Sequence, residues 1–337
     1  MPVSAPELRA GARSTMREAI LAGIAAEMRR DESVVVIGQD VRAFEGPLKS
    51  TAGLWREFGD GRVLEMPICE STMTAFGVGA ALAGLRPVVD IMFSDLLPIA
   101  TTPLIQLAAP LHYYTGGAAS VPMVVRTRGG DGPYRAHPQN YEALFAHSPG
   151  LVVVAPSNAS DAHGLIRSAI RSDDPVLFLE NIFLYNAYRE PLPADEHLVP
   201  LGRARIARAG RDVTVVAYGR TVRTSLSAAE RLADEHVEAE IVDLRTVTPL
   251  DADTVAASVA RTGRLLVVHE AWATGGIGAE VIAHVSRSCF AALKTAPALI
   301  GAPAVPVPWA EPLRDALLPT ADAIAAACRR LCENGDG

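Results

Sequence analysis

The sequence has few cysteines and little net charge, and both shortages narrow the kind of protein it can be. Four cysteines in 337 residues argue against a disulfide framework. A formal net charge of −7 gives no reason to expect nucleic acid or an anionic membrane as a partner. Residues 1–14 contain no apolar signal core, and we therefore expect a cytoplasmic location. The chain also has no internal repeat and no low-complexity run.

Charged residues are absent over one long stretch, from Leu96 to Val125. A membrane helix is conceivable for an uncharged stretch of this length. Three prolines, at positions 98, 103 and 110, argue against it because each interrupts a regular helix. We expect an interrupted helix that is buried between subunits, and no membrane partner.

Short apolar strands alternate with helical segments along the chain. Residues 33–38 read as a strand buried on both faces, and Met16 to Arg30 has helical spacing. The alternation predicts an α/β fold of two domains, each with a mainly parallel sheet flanked by helices. The predicted domains are residues 14–182 and 213–333, joined by an irregular connector over residues 183–212. A length of 337 residues is sufficient for two such cores.

The stretch from Arg62 to Gly84 carries the clearest functional signal. It reads as a strand, a turn and a helix buried on most sides, with Glu70 near the start of the helix and no further charge until Arg86. A buried carboxylate costs free energy unless a partner pairs with it, and such groups often transfer protons. The alternative is an ordinary acid in a first helical turn, stabilised by the helix dipole.

Three short motifs in this region resemble one enzyme family: Pro67-Ile68-Cys69-Glu70, Phe76-Gly77-Val78-Gly79-Ala80-Ala81 and Gly84-Leu85-Arg86-Pro87. The family is the β subunit of the thiamine diphosphate-dependent decarboxylating component of 2-oxo acid dehydrogenases, which includes pyruvate, branched-chain and acetoin dehydrogenases. The resemblance extends from Met16 to about Leu331. It implies a transketolase-like pyrimidine-binding domain followed by a C-terminal domain that serves mainly subunit association.

The resemblance also implies a role for Glu70. In the family, the matching glutamate hydrogen-bonds a ring nitrogen of the cofactor's aminopyrimidine. Protonation there favours the imino tautomer, which takes the proton from the thiazolium carbon that attacks the substrate ketone. A carboxylate in a dry pocket suits this task. Glu70 is therefore the predicted activating residue for thiamine diphosphate.

His137 is the second predicted catalytic residue. It follows a glycine-rich loop, where a histidine more often has a function than a core histidine does, although the sequence leaves a plain structural role equally open. The resemblance implies a position beside the active site, with a role in proton transfer or in engaging the lipoyl group. The family usually has Ser-Gln after this histidine, whereas this chain has Pro138-Gln139.

Other positions that the resemblance places around the cofactor also differ from the family pattern. Gln39 stands where the family has an acid, and Leu96 stands where it has an aromatic residue near the pyrimidine, with Phe93 close by. Thr102-Pro103 replaces an Asp-Gln pair. Gln39, Phe93 and Leu96 are accordingly the predicted cofactor contacts beside Glu70. These departures suggest an altered substrate or acceptor, and neutral drift is the alternative.

A possible metal motif is weaker. Gly130-Asp131-Gly132 followed by Asn158 roughly matches the Gly-Asp-Gly…Asn motif that binds magnesium and diphosphate in thiamine enzymes. Asn158 reads better as a helix cap, so we interpret the match as chance. In the family the motif lies on the α subunit. We therefore expect half of an active site, with Mg²⁺ held mainly by an α subunit in an α2β2 heterotetramer.

Gly275-Gly276-Ile277-Gly278 in the second domain reads as a glycine-rich helix start. Such a start can bind an anion, and close packing is the preferred interpretation.

Taken together, the resemblance implies a β subunit that decarboxylates a 2-oxo acid and passes the acyl unit to a lipoyl or other carrier domain. One alternative is half of a split transketolase-like or acyloin-forming enzyme that transfers a two-carbon unit to a small carbonyl acceptor. Another is a non-catalytic scaffold subunit, and the presence of Glu70 argues against it.

Overall fold

Two sheets with helices on both faces organise the protein. The computed structural model describes residues 5, 11, 13–130, 138–192 and 197–333. The strands are β1 Arg13–Ser14, β2 Val34–Gly38, β3 Val63–Glu65, β4 Arg86–Ile91, β5 Val124–Gly129, β6 Val152–Val154, β7 Val176–Asn181, β8 Glu190–Pro191, β9 Arg205–Arg208, β10 Val213–Ala217, β11 Ala239–Asp243, β12 Thr246–Thr248, β13 Leu265–Trp272 and β14 Ala298–Ala302.

The helices connect these strands. The α-helices are α1 Met16–Arg30, α2 Leu54–Phe58, α3 Glu70–Leu82, α4 Ala109–Tyr114, α5 Glu142–Ala146, α6 Ala159–Arg171, α7 Leu184–Ala187, α8 Arg220–Ala233, α9 Ala252–Thr262, α10 Ile277–Ser288, α11 Glu311–Asp315 and α12 Ala321–Glu333. Short 3₁₀ helices occupy Pro47–Lys49, Ser94–Ala100 and Phe290–Ala292, and a π-helix occupies Thr102–Ala108.

The first sheet has seven strands in the order β12-β6-β7-β5-β4-β2-β3. All neighbours are parallel except β12, which pairs antiparallel with β6. Alternate residues of β2 face opposite layers: Val34 and Val36 pack in the cluster formed with α1 and α6, and Val35 and Ile37 pack in the cluster that includes α3. The predicted parallel α/β sheet, buried on both faces, is confirmed.

Helix α1 shows how local sequence sets these elements. Its N-cap is Thr15, whose hydroxyl accepts a hydrogen bond from Glu18 N, while the Glu18 carboxylate accepts one from Thr15 N. This capping box satisfies backbone donors that the first turn leaves unpaired. The helix spans Met16 to Arg30, as predicted from the apolar spacing.

The uncharged stretch after β4 is helical but irregular. A 3₁₀ helix, a π-helix and α4 follow one another, with a proline in each: Pro98, Pro103 and Pro110. Proline removes a backbone donor and clashes with the preceding turn, which accounts for the changes of helix type. Within the described ranges, no helix combines the length and the apolar character that a membrane span requires.

The second sheet has five strands in the order β14-β13-β10-β11-β9, parallel except for β9. One face packs against α8 and α12, and Cys328 is fully buried there. The other face, through Val216 and Val267, belongs to the same apolar cluster as α3 and the first sheet. The two sheets therefore share one continuous core.

The chain crosses between the sheets directly after β11. Asp243 is the last residue of β11 in the second sheet, and Thr246 is the first residue of β12 in the first sheet. Residues 246–248 therefore pair with the first sheet, although they lie within residues 213–333 of the predicted second domain. Periodicity cannot reveal this pairing, because a three-residue edge strand is specified by its partner β6 and carries almost no pattern of its own.

Candidate active site

The carboxyl ends of three neighbouring parallel strands, β4, β2 and β3, meet at one edge of the first sheet. Gln39 directly follows β2, Glu70 follows the turn after β3, and Phe93 and Leu96 follow β4. In parallel α/β sheets, ligands bind outside the carboxyl ends of the strands. The structure thus places four of the predicted site residues along one edge of one sheet.

Glu70 is the first residue of α3, and only 5% of its surface is exposed. Its backbone carbonyl accepts a hydrogen bond of 2.7 Å from Thr74 Oγ1. With the residues that the structure describes, its carboxylate forms no hydrogen bond and no ion pair. A buried carboxylate is stable only where the helix dipole and a hydrogen-bond donor compensate for lost water. Glu70 is therefore suited to bind a donor group of a ligand.

The other predicted residues have less direct geometry. Gln39 is half-buried and its Nε2 donates to Asp40 Oδ2 at 3.2 Å. Phe93 is buried, and Leu96 is half-buried with its N–H bonded to Phe93 O at 3.0 Å. Their cofactor-binding roles stay predictions. His137 lies outside the described residues.

Helix α3 packs closely on one side and presents apolar groups on the other. On the inner side a Cβ at Gly77 would lie 2.7 Å from Val89 Cγ2, so only glycine permits this approach to β4. On the outer side Phe76 and Leu82 are 47% and 51% exposed, and Ile68 before the helix is 72% exposed. The sequence predicts a helix buried on most sides, whereas in the single chain α3 is buried on one side. Exposed apolar surface of this kind marks an interaction site.

A buried charge network supports the strand ends beside this edge. Arg128 donates to both oxygens of Asp90, at 2.6 and 2.5 Å, and Arg126 donates to both oxygens of Glu180, at 2.6 and 2.8 Å. The Tyr185 hydroxyl bonds Arg128 Nε and Glu180. Burial by itself would raise the pKa of Asp90, but the two arginines hold it below its usual value. Such pairs hold a fixed geometry because separation leaves a buried charge uncompensated.

A cavity of about 50 Å³ lies where the carboxyl-end edges of the two sheets meet. Its volume is sufficient to hold water, since one molecule needs about 10–15 Å³ of such space. Ser94, Gly129 and Glu142 line it from the first sheet, and Tyr218 and Glu270 line it from the second. The cavity adjoins the turn after β4 and therefore borders the edge that carries Phe93 and Leu96.

Two hydrogen bonds at the cavity join residues on the side of the first sheet to residues on the side of the second. Tyr218 OH donates to Glu142 Oε1 at 2.8 Å, and Asn181 Nδ2 donates to Glu270 Oε2 at 2.7 Å. Burial raises the pKa of Glu142, and burial together with the neighbouring Glu142 raises that of Tyr218 well above its usual value. The sequence prediction missed Glu142 and Tyr218. The one available signal was a tyrosine hydroxyl directly after the apolar strand β10.

Of the two candidate ligands in the possible metal motif, the structure describes the asparagine. Asn158 is the N-cap of α6, and its Oδ1 accepts a hydrogen bond of 2.8 Å from Asp161 N. This confirms the cap interpretation. Asp131, the acid of the motif, lies outside the described residues.

Comparison with known proteins adds a family context. Two family models match: Transketolase, pyrimidine binding domain, over residues 12–186, and Transketolase, C-terminal domain, over residues 202–324. The chain is 39% identical to the 2-oxoisovalerate dehydrogenase subunit beta of Bacillus subtilis over 94% of this chain and 98% of that protein. It is 39% identical to the pyruvate dehydrogenase E1 component subunit beta of Rickettsia felis, with the same coverage.

A third relative is the acetoin:2,6-dichlorophenolindophenol oxidoreductase subunit beta of Cupriavidus necator, with 41% identity over 95% of this chain and 98% of that protein. Among solved structures, a split gene transketolase described as an inactive beta4 tetramer superposes with a TM-score of 0.77 at 20% identity, covering 95% of this chain and 99% of that one. A transketolase mutant from Pichia stipitis gives a TM-score of 0.68 at 15% identity, over 99% of this chain and 48% of that one. These two structures support the fold alone.

Proposed function

Because the chain belongs to the transketolase-type β subunits of 2-oxo acid dehydrogenases, we propose that it acts in a thiamine diphosphate-dependent enzyme that decarboxylates a 2-oxo acid. The acyl unit then passes to a lipoyl or other carrier. The observation that carries this proposal is Glu70, a buried residue at the start of α3, on the ligand-binding edge of a parallel sheet. The relatives named for pyruvate, 2-oxoisovalerate and acetoin leave the 2-oxo acid open.

The residues at this edge fit the pyrimidine half of the cofactor. Thiamine diphosphate, when bound, supplies a nucleophilic carbon and accepts the electron pair released by decarboxylation. The Glu70 carboxylate, with no described protein partner, would hold a proton at the ring nitrogen. Phe93 and Leu96 would offer apolar contacts to the ring, and Gln39 a neutral polar group. His137 would act on the acceptor side.

The rest of the active site would come from a partner. An α subunit would hold the diphosphate and most of the Mg²⁺ coordination, in an α2β2 heterotetramer. The apolar outer face of α3, with Phe76 and Leu82 exposed, supports a contact with another subunit. Tyr113 and Tyr114 of α4, 86% and 76% exposed, are further aromatic side chains available for a subunit contact. A cytoplasmic location stays a prediction, as does the division into domains 14–182 and 213–333 with a connector over 183–212.

Replacing Glu70 with glutamine tests the proposal. The amide has the size of the acid but cannot hold the proton, so turnover by the complex with the α subunit is expected to fall about 10²–10⁴-fold. Size-exclusion chromatography is expected to show unchanged assembly. Glu230→Gln, on the exposed face of α8, is the matched control and should keep full turnover. Full turnover in the Glu70→Gln complex would reject the role.

The second candidate, a split transketolase-like or acyloin-forming enzyme, has the same requirement for Glu70. It is favoured by Leu96, an aliphatic residue at the cofactor edge where the family has an aromatic. Product analysis separates the two. Pyruvate with a lipoyl acceptor should yield an acyl-lipoyl product in the first case, whereas a small carbonyl acceptor should yield a longer ketol in the second.

A further inference from the structure

The turn from Gln139 to Glu142 is attached at its first residue to the segment that follows β4, where the predicted cofactor contacts Phe93 and Leu96 lie. Ser94 Oγ donates to Gln139 O at 2.6 Å, and Gln139 N donates to Asp95 Oδ2 at 3.0 Å. Ser94 and Asp95 directly follow Phe93, at the carboxyl end of β4. Any shift of this turn therefore acts on the segment that carries the predicted pyrimidine contacts.

The other end of the same turn contacts residues of the second sheet and of the segment that follows β10. The ring of Tyr141 meets that of Trp272 edge-on, with centroids 6.0 Å apart and planes at 65°. Glu142 Oε1 accepts the 2.8 Å hydrogen bond from Tyr218 OH. Within four residues, the turn thus links the edge of the first sheet to the carboxyl-end edge of the second.

Tyr218 is held firmly on its own side. Its carbonyl accepts a hydrogen bond of 2.8 Å from Thr221 Oγ1, and its ring stacks on His269 with centroids 5.9 Å apart. The His269 ring is in turn confined by Gly276 and Gly278, where an added Cβ would lie 2.9 and 2.8 Å from ring atoms. This confirms close packing at the glycine-rich helix start. The Tyr218 hydroxyl is therefore presented to Glu142 from a rigid base.

Burying a carboxyl group at this position costs free energy, so a gain in stability does not explain its presence. Glu142 is 5% exposed, and a buried polar group costs free energy that an apolar residue of similar size would not. A hydrogen bond also restricts distance and direction, which apolar packing does not. The pair is suited to fixing a position rather than to adding stability.

We propose that Glu142 and Tyr218 are positioning residues for the reaction, and that their hydrogen bond holds the Gln139–Glu142 turn, and through it the turn after β4, at the cofactor edge. This inference rests on the proposed function. Neither residue is assigned contact with substrate. Their effect passes through Gln139 to Ser94 and Asp95.

The test uses the complex with the α subunit. Tyr218→Phe removes one hydroxyl and keeps the ring, so kcat is expected to fall between about 10-fold and 100-fold, the loss typical of a misplacement near 1 Å. KM is expected to stay unchanged because no substrate contact is removed. Glu142→Gln is expected to retain most of the wild-type kcat, since its amide oxygen accepts the same hydrogen bond. Glu142→Asp, which withdraws the acceptor by one methylene, should behave like Tyr218→Phe.

A purely structural role would give a different result. In that case Tyr218→Phe and Glu142→Asp would lower the melting temperature while kcat per assembled site stayed at the wild-type value, and this outcome would overturn the proposal. If the Tyr218→Phe complex does not assemble, Glu142→Asp decides in the same way. Tyr188→Phe, a half-exposed tyrosine away from the cavity, is the matched control. Loss of kcat in Glu70→Gln but not in either pair variant rejects the positioning role alone, whereas full kcat in Glu70→Gln rejects the proposed function.

Discussion

Replacing Asp243 with asparagine is expected to make the stability difference from the wild type depend on pH, with a change of about 2.5 kcal/mol between pH 4 and pH 7.5. Asp243 ends β11 at the crossing between the sheets and is fully buried. Its carboxylate accepts hydrogen bonds from Ser157 Oγ at 2.5 Å and Arg245 N at 3.1 Å. Arg205 Nη2 lies 3.4 Å from Oδ2.

The magnitude comes from the cost of ionising this group inside the protein. Burial, with like charge from Asp161, raises the pKa of Asp243 from 3.8 to about 6, although Ser157 and Arg205 oppose the rise. One pKa unit corresponds to about 1.36 kcal/mol, so ionisation costs the folded state about 3 kcal/mol. Between pH 4 and pH 6 the folded protein binds a proton that the unfolded chain has released. Its stability therefore falls as the pH rises through that window.

Asparagine cannot ionise, so this loss is absent in the variant. It keeps one acceptor oxygen and gives up one accepted hydrogen bond, at a cost of about 1 kcal/mol at every pH. The variant should thus be less stable than the wild type by about 0.5 kcal/mol near pH 4 and more stable by about 2 kcal/mol at pH 7.5.

Urea unfolding of both proteins across pH 4 to 7.5 measures the difference directly, and other titrating groups cancel in it. Asp234→Asn, at an exposed position at the end of α8, serves as the control and should show no such trend. A difference between Asp243→Asn and wild type that stays constant with pH would refute the reasoning, because it would mean that Asp243 titrates alike in the folded and unfolded states.

Two further variants test the sequence interpretation. Asn158→Ala removes the cap of α6 and should lower the free energy of unfolding in urea by about 1 kcal/mol. The Mg²⁺ dependence of the assembled enzyme should stay unchanged. Weaker Mg²⁺ binding by the variant would instead indicate that Asn158 is a metal ligand. His137→Ala is expected to slow acyl transfer more than decarboxylation, because the residue is proposed to act on the acceptor side. Single-turnover measurements separate the two steps, and equal losses would contradict that role.

Local patterns in the sequence were sufficient for most elements of the fold. The bounds of α1 follow from its apolar spacing and the capping box at Thr15, both of which involve residues at most four apart. The alternation of apolar strands and helices was sufficient for two mainly parallel sheets. The start of the helix at Glu70 could also be predicted, because a lone carboxylate before an uncharged run of small residues is a local signal.

The tertiary structure decided what depends on residues far apart in the chain. The return of β12 to the first sheet is set by its pairing with β6, some 90 residues earlier, and leaves no periodic trace in a strand of three residues. The Glu142–Tyr218 pair exists only because two sheet edges face one another. Residue types and short spacings encode hydrogen bonds within a turn, whereas the meeting of two distant side chains follows from the packing of whole elements around a shared core.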